Sequence, residues 1–189
     1  YLRLGRILDE LELAALQQRI DAIMLGEVRL PSLATQLDTG GAYDEPPDPA
    51  AGLVKPSLAY RKVQGLEGDP LFLALIRSDV FREICHRHYG AHASASILRA
   101  MVVNKPAGRG THVPWHQDGG DVWGLDRDPL MTIWVALDPA TRETGCLQVI
   151  PGTHRLGLLS RDRSALSAES ARSHCPEEAI VHLEIEAGE

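Results

Sequence analysis

The chain lacks most of the features that mark a secreted, membrane-spanning or nucleic-acid-binding protein. Its three cysteines, Cys85, Cys146 and Cys175, lie far apart, are odd in number and form no CxxC pair. That argues against a disulfide framework and against a cysteine-built zinc site. No apolar run approaches the roughly 18 residues that cross a bilayer, and no signal peptide is visible. Basic residues are outnumbered, 19 against 26 acidic ones, for a net charge of -7. Neither nucleic acid nor an anionic membrane is therefore expected as the main partner. Internal repeats and low-complexity tracts are also missing. The chain opens on Tyr1 instead of Met, from which we expect a clipped or renumbered N-terminus. A reducing cytoplasm is the expected compartment.

What is present suits one soluble domain. The 189 residues are enough for a real core, and the proportions, 44% hydrophobic and 24% charged, are ordinary. Residues 2–8 read as a short strand or extended lead-in. Asp9 followed by Glu12 matches a capping box, and Leu13, Leu16, Ile20, Ile23 and Met24 then recur at helical spacing. A helix over 10–25 with Gly26 as its stop follows. Residues 31–56 hold five prolines and Gly40-Gly41, and are expected to be a long, irregular loop. A short strand is expected over 58–63. Asp69-Pro70 starts a helix, and 70–77 and 79–89 read as two short helices closed by Gly90.

From Ser96 onward the pattern becomes strand-like. Residues 97–103, 113–118, 130–137, 146–150 and 179–185 read as extended segments, separated by Pro and Gly. The polar, Ser-rich 161–178 reads as a second loop or an insertion. Helices first and short strands later give an α+β order, with N-terminal helices in 1–95 and a jelly-roll β-core in 96–189.

The chemistry centres on Trp115-His116-Gln117-Asp118-Gly119-Gly120. Side chains alternate along a strand, so His116 and Asp118 project from one face while Gln117 points the other way. One imidazole nitrogen and one carboxylate oxygen can then hold a single metal ion. That is two-thirds of the 2-His-1-carboxylate set that leaves coordination positions open in non-heme Fe(II) oxygenases. His112 is a competing ligand candidate, but on a strand it lies two pleats away, toward the rim. In 130–137, Thr132, Trp134 and Ala136 share one face, and Met131, Ile133, Val135 and Leu137 the other. A Thr hydroxyl beside an indole N–H suits an acidic co-substrate. The strand at 146–150 breaks at Pro151-Gly152, and His154 follows.

Taken in order, Asn104-Lys105-Pro106, Trp115-His116-Gln117-Asp118, Ile133-Trp134-Val135-Ala136-Leu137 and Gly145-Cys146-Leu147 through Pro151-Gly152-Thr153-His154-Arg155 resemble the phytanoyl-CoA dioxygenase family. The opening Tyr1-Leu2-Arg3-Leu4-Gly5 is also similar to that family's N-terminal segment. The resemblance implies a double-stranded β-helix, a jelly roll of cupin type, with helices packed on one sheet. It implies Fe(II) held by His116 and Asp118, and 2-oxoglutarate bound near Lys105, Gln117, Trp134 and Thr132. Of these, Gln117 ranks below Trp134 because of the pleat. The implied reaction hydroxylates a small organic substrate with O2 and releases succinate and CO2. His154 would belong to the turn.

In the family, a distal His and an Arg follow the strand that 181–189 resembles. Neither is present before Glu189, and His182 matches a position ahead of that ligand. We therefore expect C-terminal strands to be missing, and metal binding by the chain as written to be weak. Two alternatives stay open: a cupin-type metalloenzyme that needs no 2-oxo acid, and a degenerate, non-catalytic β-roll that binds a small molecule or partner. Residues 31–56 and 156–176 are candidates for a substrate lid. Arg99, Arg109 and Arg127 could attract an anionic substrate, but read more simply as solvated charge. The substrate is not legible in the sequence.

Overall fold

A computed structural model of the chain describes residues 1–40, 50–108, 110–124, 131–162 and 165–189. The architecture is α+β with antiparallel strand pairing. The residues gather into two compact units, 7–111 and 1–6 together with 112–189. They are described in turn as the N-terminal and C-terminal units.

The N-terminal unit opens with α1 (Glu10–Met24). The capping box forms as the sequence requires. The Asp9 carboxylate accepts the N–H groups of Leu11 and Glu12, and the Glu12 carboxylate accepts that of Asp9. These bonds satisfy donors that have no partner inside the helix. Leu16, Ile20, Ile23 and Met24 form the buried stripe. Next come β1 (Ala34–Leu37), β2 (Ala50–Ala51), β3 (Tyr60–Gln64), α2 (Pro70–Ile76), α3 (Asp79–Tyr89) and β4 (Met101–Val103). The four strands form one sheet in the order β2-β1-β3-β4. Its register pairs Ala34 with Gln64 and Lys62 with Val103, and shifts between Gln36 and Leu37. Tyr60, Val63, Leu66 and Phe72 complete the core. Asp69 caps α2 by accepting from Leu71 and Phe72, and α1 packs against α2.

One expectation is corrected here. Residues 31–56 are not simply irregular, because they supply β1 and β2. The strand escapes a pattern search because its buried side chains are polar. Thr35 donates to the Gly52 carbonyl at 2.8 Å, and the Gln36 amide oxygen accepts from the Arg61 guanidinium at 2.9 and 3.2 Å. Hydrogen bonds satisfy these groups, so burial does not require apolar residues. Residues 41–49, with Gly41, Pro46, Pro47 and Pro49, lie outside the described residues, as do Arg109 and Arg127.

The C-terminal unit holds β5 (Leu147–Val149), α4 (Ala168–His174) and β6 (Val181–Leu183). β5 and β6 pair antiparallel, with Gln148 opposite His182. Three further expectations are corrected. Of the two readings of residues 2–8, a short strand or an extended lead-in, the strand does not form; the Arg3 guanidinium ties 1–6 down through the Glu184 carbonyl and the Glu189 carboxylate. The Ser-rich 161–178 is not all loop, because Ser167 accepts from Ser170 N–H and starts α4; residues 163 and 164 lie outside the described set. Finally, 131–135 carries no strand ladder, and Leu130 is not described. The alternation survives there, with Met131, Ile133 and Val135 partly buried and Thr132 and Trp134 exposed. Backbone partners begin only at Ala136, which exchanges bonds with Glu189 and Gly188 at 2.8 Å each, followed by the Ala140–Ile185 bridge. A β-pattern fixes the faces, but a ladder also needs a neighbouring strand.

Candidate functional site

The stretch from Trp115 to Gly120 lies wholly in the C-terminal unit. The expected extended segment 113–118 forms no strand: the chain bends at Trp115, Asp118 and Gly120, and its pairing is a single β-bridge from His116 to Ala165 with a bond from Leu166 N–H to the Trp115 carbonyl at 2.8 Å. The side chains of His116 and Asp118 still approach one another. His116 Nε2 and Asp118 Oδ1 lie 3.9 Å apart, with side chains 42% and 43% exposed. Two donors that share one ion at about 2.1 Å can be no more than about 4.2 Å apart. At 3.9 Å the pair lies inside that limit but wider than the roughly 3.0 Å that separates adjacent donors around an octahedral ion, so the two side chains must close further to share one.

Each member is braced by a neighbour. His116 Nδ1 lies 2.9 Å from the Pro114 carbonyl. A carbonyl can only accept, so Nδ1 carries the proton and donates, and Nε2 is the ring nitrogen on the Asp118 side. Metal-binding imidazoles are commonly held this way. The Thr132 hydroxyl donates to Asp118 Oδ2 at 3.4 Å, leaving Oδ1 toward the imidazole. Among the described residues, no group of three or more His, Cys, Asp or Glu gathers at a point where they could hold a metal.

A cavity of about 240 Å³ adjoins His116, with Trp115, Gln117, Val149, Ile150 and Leu159 among its walls. The walls are mainly apolar, and His154 and His174 also border it. His154 sits in the one-turn helix Thr153–Leu156, after Gly152 with its left-handed φ of 87°. His112 is exposed. His182 is part of the β5–β6 ladder.

A profile of the family described as phytanoyl-CoA dioxygenase (PhyH) matches residues 1–189. The chain belongs to that family. Family members are in general Fe(II)- and 2-oxoglutarate-dependent oxygenases, and the family implies a cupin-like jelly roll. Among named relatives, the chain is similar to "Phytanoyl-CoA dioxygenase domain-containing protein 1" of Danio rerio, 34% identical over 93 residues, covering 49% of this chain and 31% of that protein. It is also similar to "Phytanoyl-CoA dioxygenase" of Arabidopsis thaliana, 32% identical over 95 residues, covering 50% and 32%. A Caenorhabditis elegans protein named "Probable phytanoyl-CoA dioxygenase" is 26% identical over 170 residues, covering 86% and 51%. The chain thus spans between about a third and about half of these relatives' lengths.

The other residues singled out from the PhyH resemblance fall as follows. Thr132 is brought to Asp118. Trp134 is 39% exposed. Lys105 follows β4 in the N-terminal unit. Gln117 lines the cavity and is held at both ends of its amide by backbone. Its amide nitrogen donates to the Gly157 carbonyl at 3.0 Å, and its oxygen accepts the Leu159 N–H at 2.7 Å. Two contributors had not been picked out as such. The Pro114 carbonyl gives no sequence signal, because any residue carries one. The close approach of Gly120 to residue 161 was signalled only by the Gly119-Gly120 doublet. No helix among the described residues is long and apolar enough to cross a membrane.

Proposed function

We propose that the chain carries the ferrous and 2-oxoglutarate-binding part of a dioxygenase that hydroxylates a small organic substrate, on the double-stranded β-helix of its family. The observation that carries this reading is the convergence of His116 Nε2 and Asp118 Oδ1 to 3.9 Å, with Nδ1 already committed to the Pro114 carbonyl. The donor set, one neutral imidazole and one carboxylate, suits Fe(II).

Bound there, the metal would supply the oxygen chemistry, taking its electrons from the 2-oxo acid and releasing succinate and CO2. The residues of this chain do the rest. His116 presents Nε2 in the correct tautomer, because the Pro114 carbonyl holds its other nitrogen. Asp118 presents Oδ1 while Thr132 engages Oδ2. Trp134 and Lys105 remain proposed contributors to the 2-oxoglutarate pocket. Trp115, Val149, Ile150 and Leu159 give the space beside the imidazole mainly apolar walls. The three free thiols suit the reducing cytoplasm proposed for the chain.

The test is succinate release with Fe(II), 2-oxoglutarate and a panel of acyl-CoA, free-acid and amino-acid substrates, using a full-length protein. His116→Ala is expected to abolish release. Retained turnover in that variant rejects the ligand assignment.

A further inference from the structure

The middle residue of the His-Gln-Asp triplet does separate work. We infer that Gln117 is a positioning residue, whose amide clamps residues 157–162 against the stretch that carries His116 and Asp118. Both ends of the amide are engaged by backbone, at Gly157 and Leu159. The clamp is continued further along. Asp121 N–H bonds the Arg161 carbonyl at 2.8 Å, and the Arg161 guanidinium meets the Asp121 carboxylate at 3.4 Å. Between these contacts the backbones come very close. A Cβ on Gly120 would lie 2.6 Å from the Arg161 carbonyl oxygen, and Gly120 holds a φ of 89°. Glycine alone permits both the conformation and the approach.

The consequence reaches the cavity. Leu159 is one of its walls, along with His116 and Gln117. Gln117 grips the Leu159 backbone, so it sets where that wall stands relative to the imidazole. The three side chains divide accordingly: His116 and Asp118 approach one another, and Gln117 reaches Gly157 and Leu159. This makes the position of Leu159, the residue of 157–162 that lines the cavity, a determinant of what fits beside His116. The inference goes beyond the oxygenase reading and is testable without it, because the clamp exists in protein that holds neither iron nor 2-oxoglutarate.

Hydrogen exchange on the metal-free full chain tests it. Gln117→Leu keeps the bulk and removes both bonds. Exchange at Leu159 is expected to rise roughly ten- to thirtyfold, with Asp121 accelerating in the same direction. Amides of β5, β6 and α4 should keep their wild-type rates. Gln117→Glu retains the oxygen that accepts from Leu159 and should restore most of its protection. Gly120→Ala pushes residue 161 away from the opposite side and should accelerate Asp121 without any change at position 117. Wild-type exchange at Leu159 in Gln117→Leu overturns the inference. So does acceleration spread evenly over β5 and β6, and so does a Glu variant that protects no better than Leu. Loss of succinate release in His116→Ala bears only on the oxygenase reading, and leaves these exchange results standing.

Discussion

Asp38 is the residue whose removal the structure prices most directly. It follows β1 and is 6% exposed. Its carboxylate accepts three hydrogen bonds, from Gly40 N–H at 2.8 Å, the Thr111 hydroxyl at 2.9 Å and Thr111 N–H at 3.2 Å. Burial alone would raise its pKa. The bonds from Gly40 and Thr111, with the nearby Arg61 charge, outweigh burial and hold it below the ordinary carboxylate range. Gly40 is exposed, and water can replace the carboxylate there. The two Thr111 donors carry most of the cost. At about 1.5 kcal/mol for each bond to a charged acceptor, Asp38→Ala should lose about 3 kcal/mol. At roughly 2–4 °C per kcal/mol for a chain of this size, the midpoint should fall by about 10 °C. Asp38→Asn keeps one acceptor and should lose less.

Acid supplies the second arm. A carboxylate whose folded pKa lies below its unfolded value contributes stability that is fully present above the unfolded value, about 3.9. That contribution is lost as pH falls through the folded value. The gap between wild type and Asp38→Asn should therefore be full at neutral pH and close under acid, where Asp38 protonates. Urea unfolding of wild type and both variants across this range is the assay. An alanine variant within about 0.5 kcal/mol of wild type at neutral pH refutes the count of bonds. A gap that does not narrow in acid refutes the charge as its source.

Two further substitutions probe the core of the same unit. Tyr60 is fully buried, and its hydroxyl both donates to the Lys55 carbonyl at 2.7 Å and accepts the Lys55 N–H at 2.9 Å. Tyr60→Phe strands both backbone groups, and should cost about 1–3 kcal/mol by urea unfolding, with little change in far-UV circular dichroism. At Gly65 a Cβ would sit 2.1 Å from the Ser32 carbonyl oxygen, on a residue with φ of 85°. Gly65→Ala should therefore lose at least about 2 kcal/mol, or leave little folded protein. A near-neutral result would mean that the turn at residue 32 moves freely.

Local signals were the most legible part of the fold. Asp9 with Glu12, Asp69-Pro70 and Gly90 are chemical punctuation, and α1 and α2 begin, and α3 ends, within a residue of where those marks stand. Strands at 58–63, 97–103, 146–150 and 179–185 were visible from β-branched and apolar content, and became β3, β4, β5 and β6; the last three are trimmed to their paired cores, and β3 is shifted to Tyr60–Gln64. What stayed hidden depends on partners. β1 buries Thr35 and Gln36 against groups far off in sequence, so no local pattern announces it. α4 hid inside a Ser-rich run whose cap, Ser167, looks like any other loop serine. Residues 131–135 have the strand pattern but no ladder beside them, because pairing is a property of two segments. At the site, spacing alone predicted that His116 and Asp118 would converge. It also predicted that Gln117 would turn away, but not what Gln117 would grip.

The two candidate ligands are not equally prepared. The 2.9 Å bond from His116 Nδ1 to the Pro114 carbonyl is of ordinary strength and links residues two apart. The ring's tautomer and orientation are therefore largely settled before any ion arrives. Asp118 leans on the Thr132 hydroxyl at 3.4 Å, near the limit of a hydrogen bond, and its side chain is 43% exposed. Its rotamer freedom is still to be lost on binding. Thr132 lies in the stretch without a strand ladder, so the brace on Asp118 is only as firm as that segment. Anything that pairs the 131–135 backbone would stiffen Thr132, and through it the carboxylate. The imidazole would feel little of this, since its anchor is local. The weaker half of the pair is thus Asp118, because its brace rests on a segment that has no ladder among the described residues while that of His116 is local.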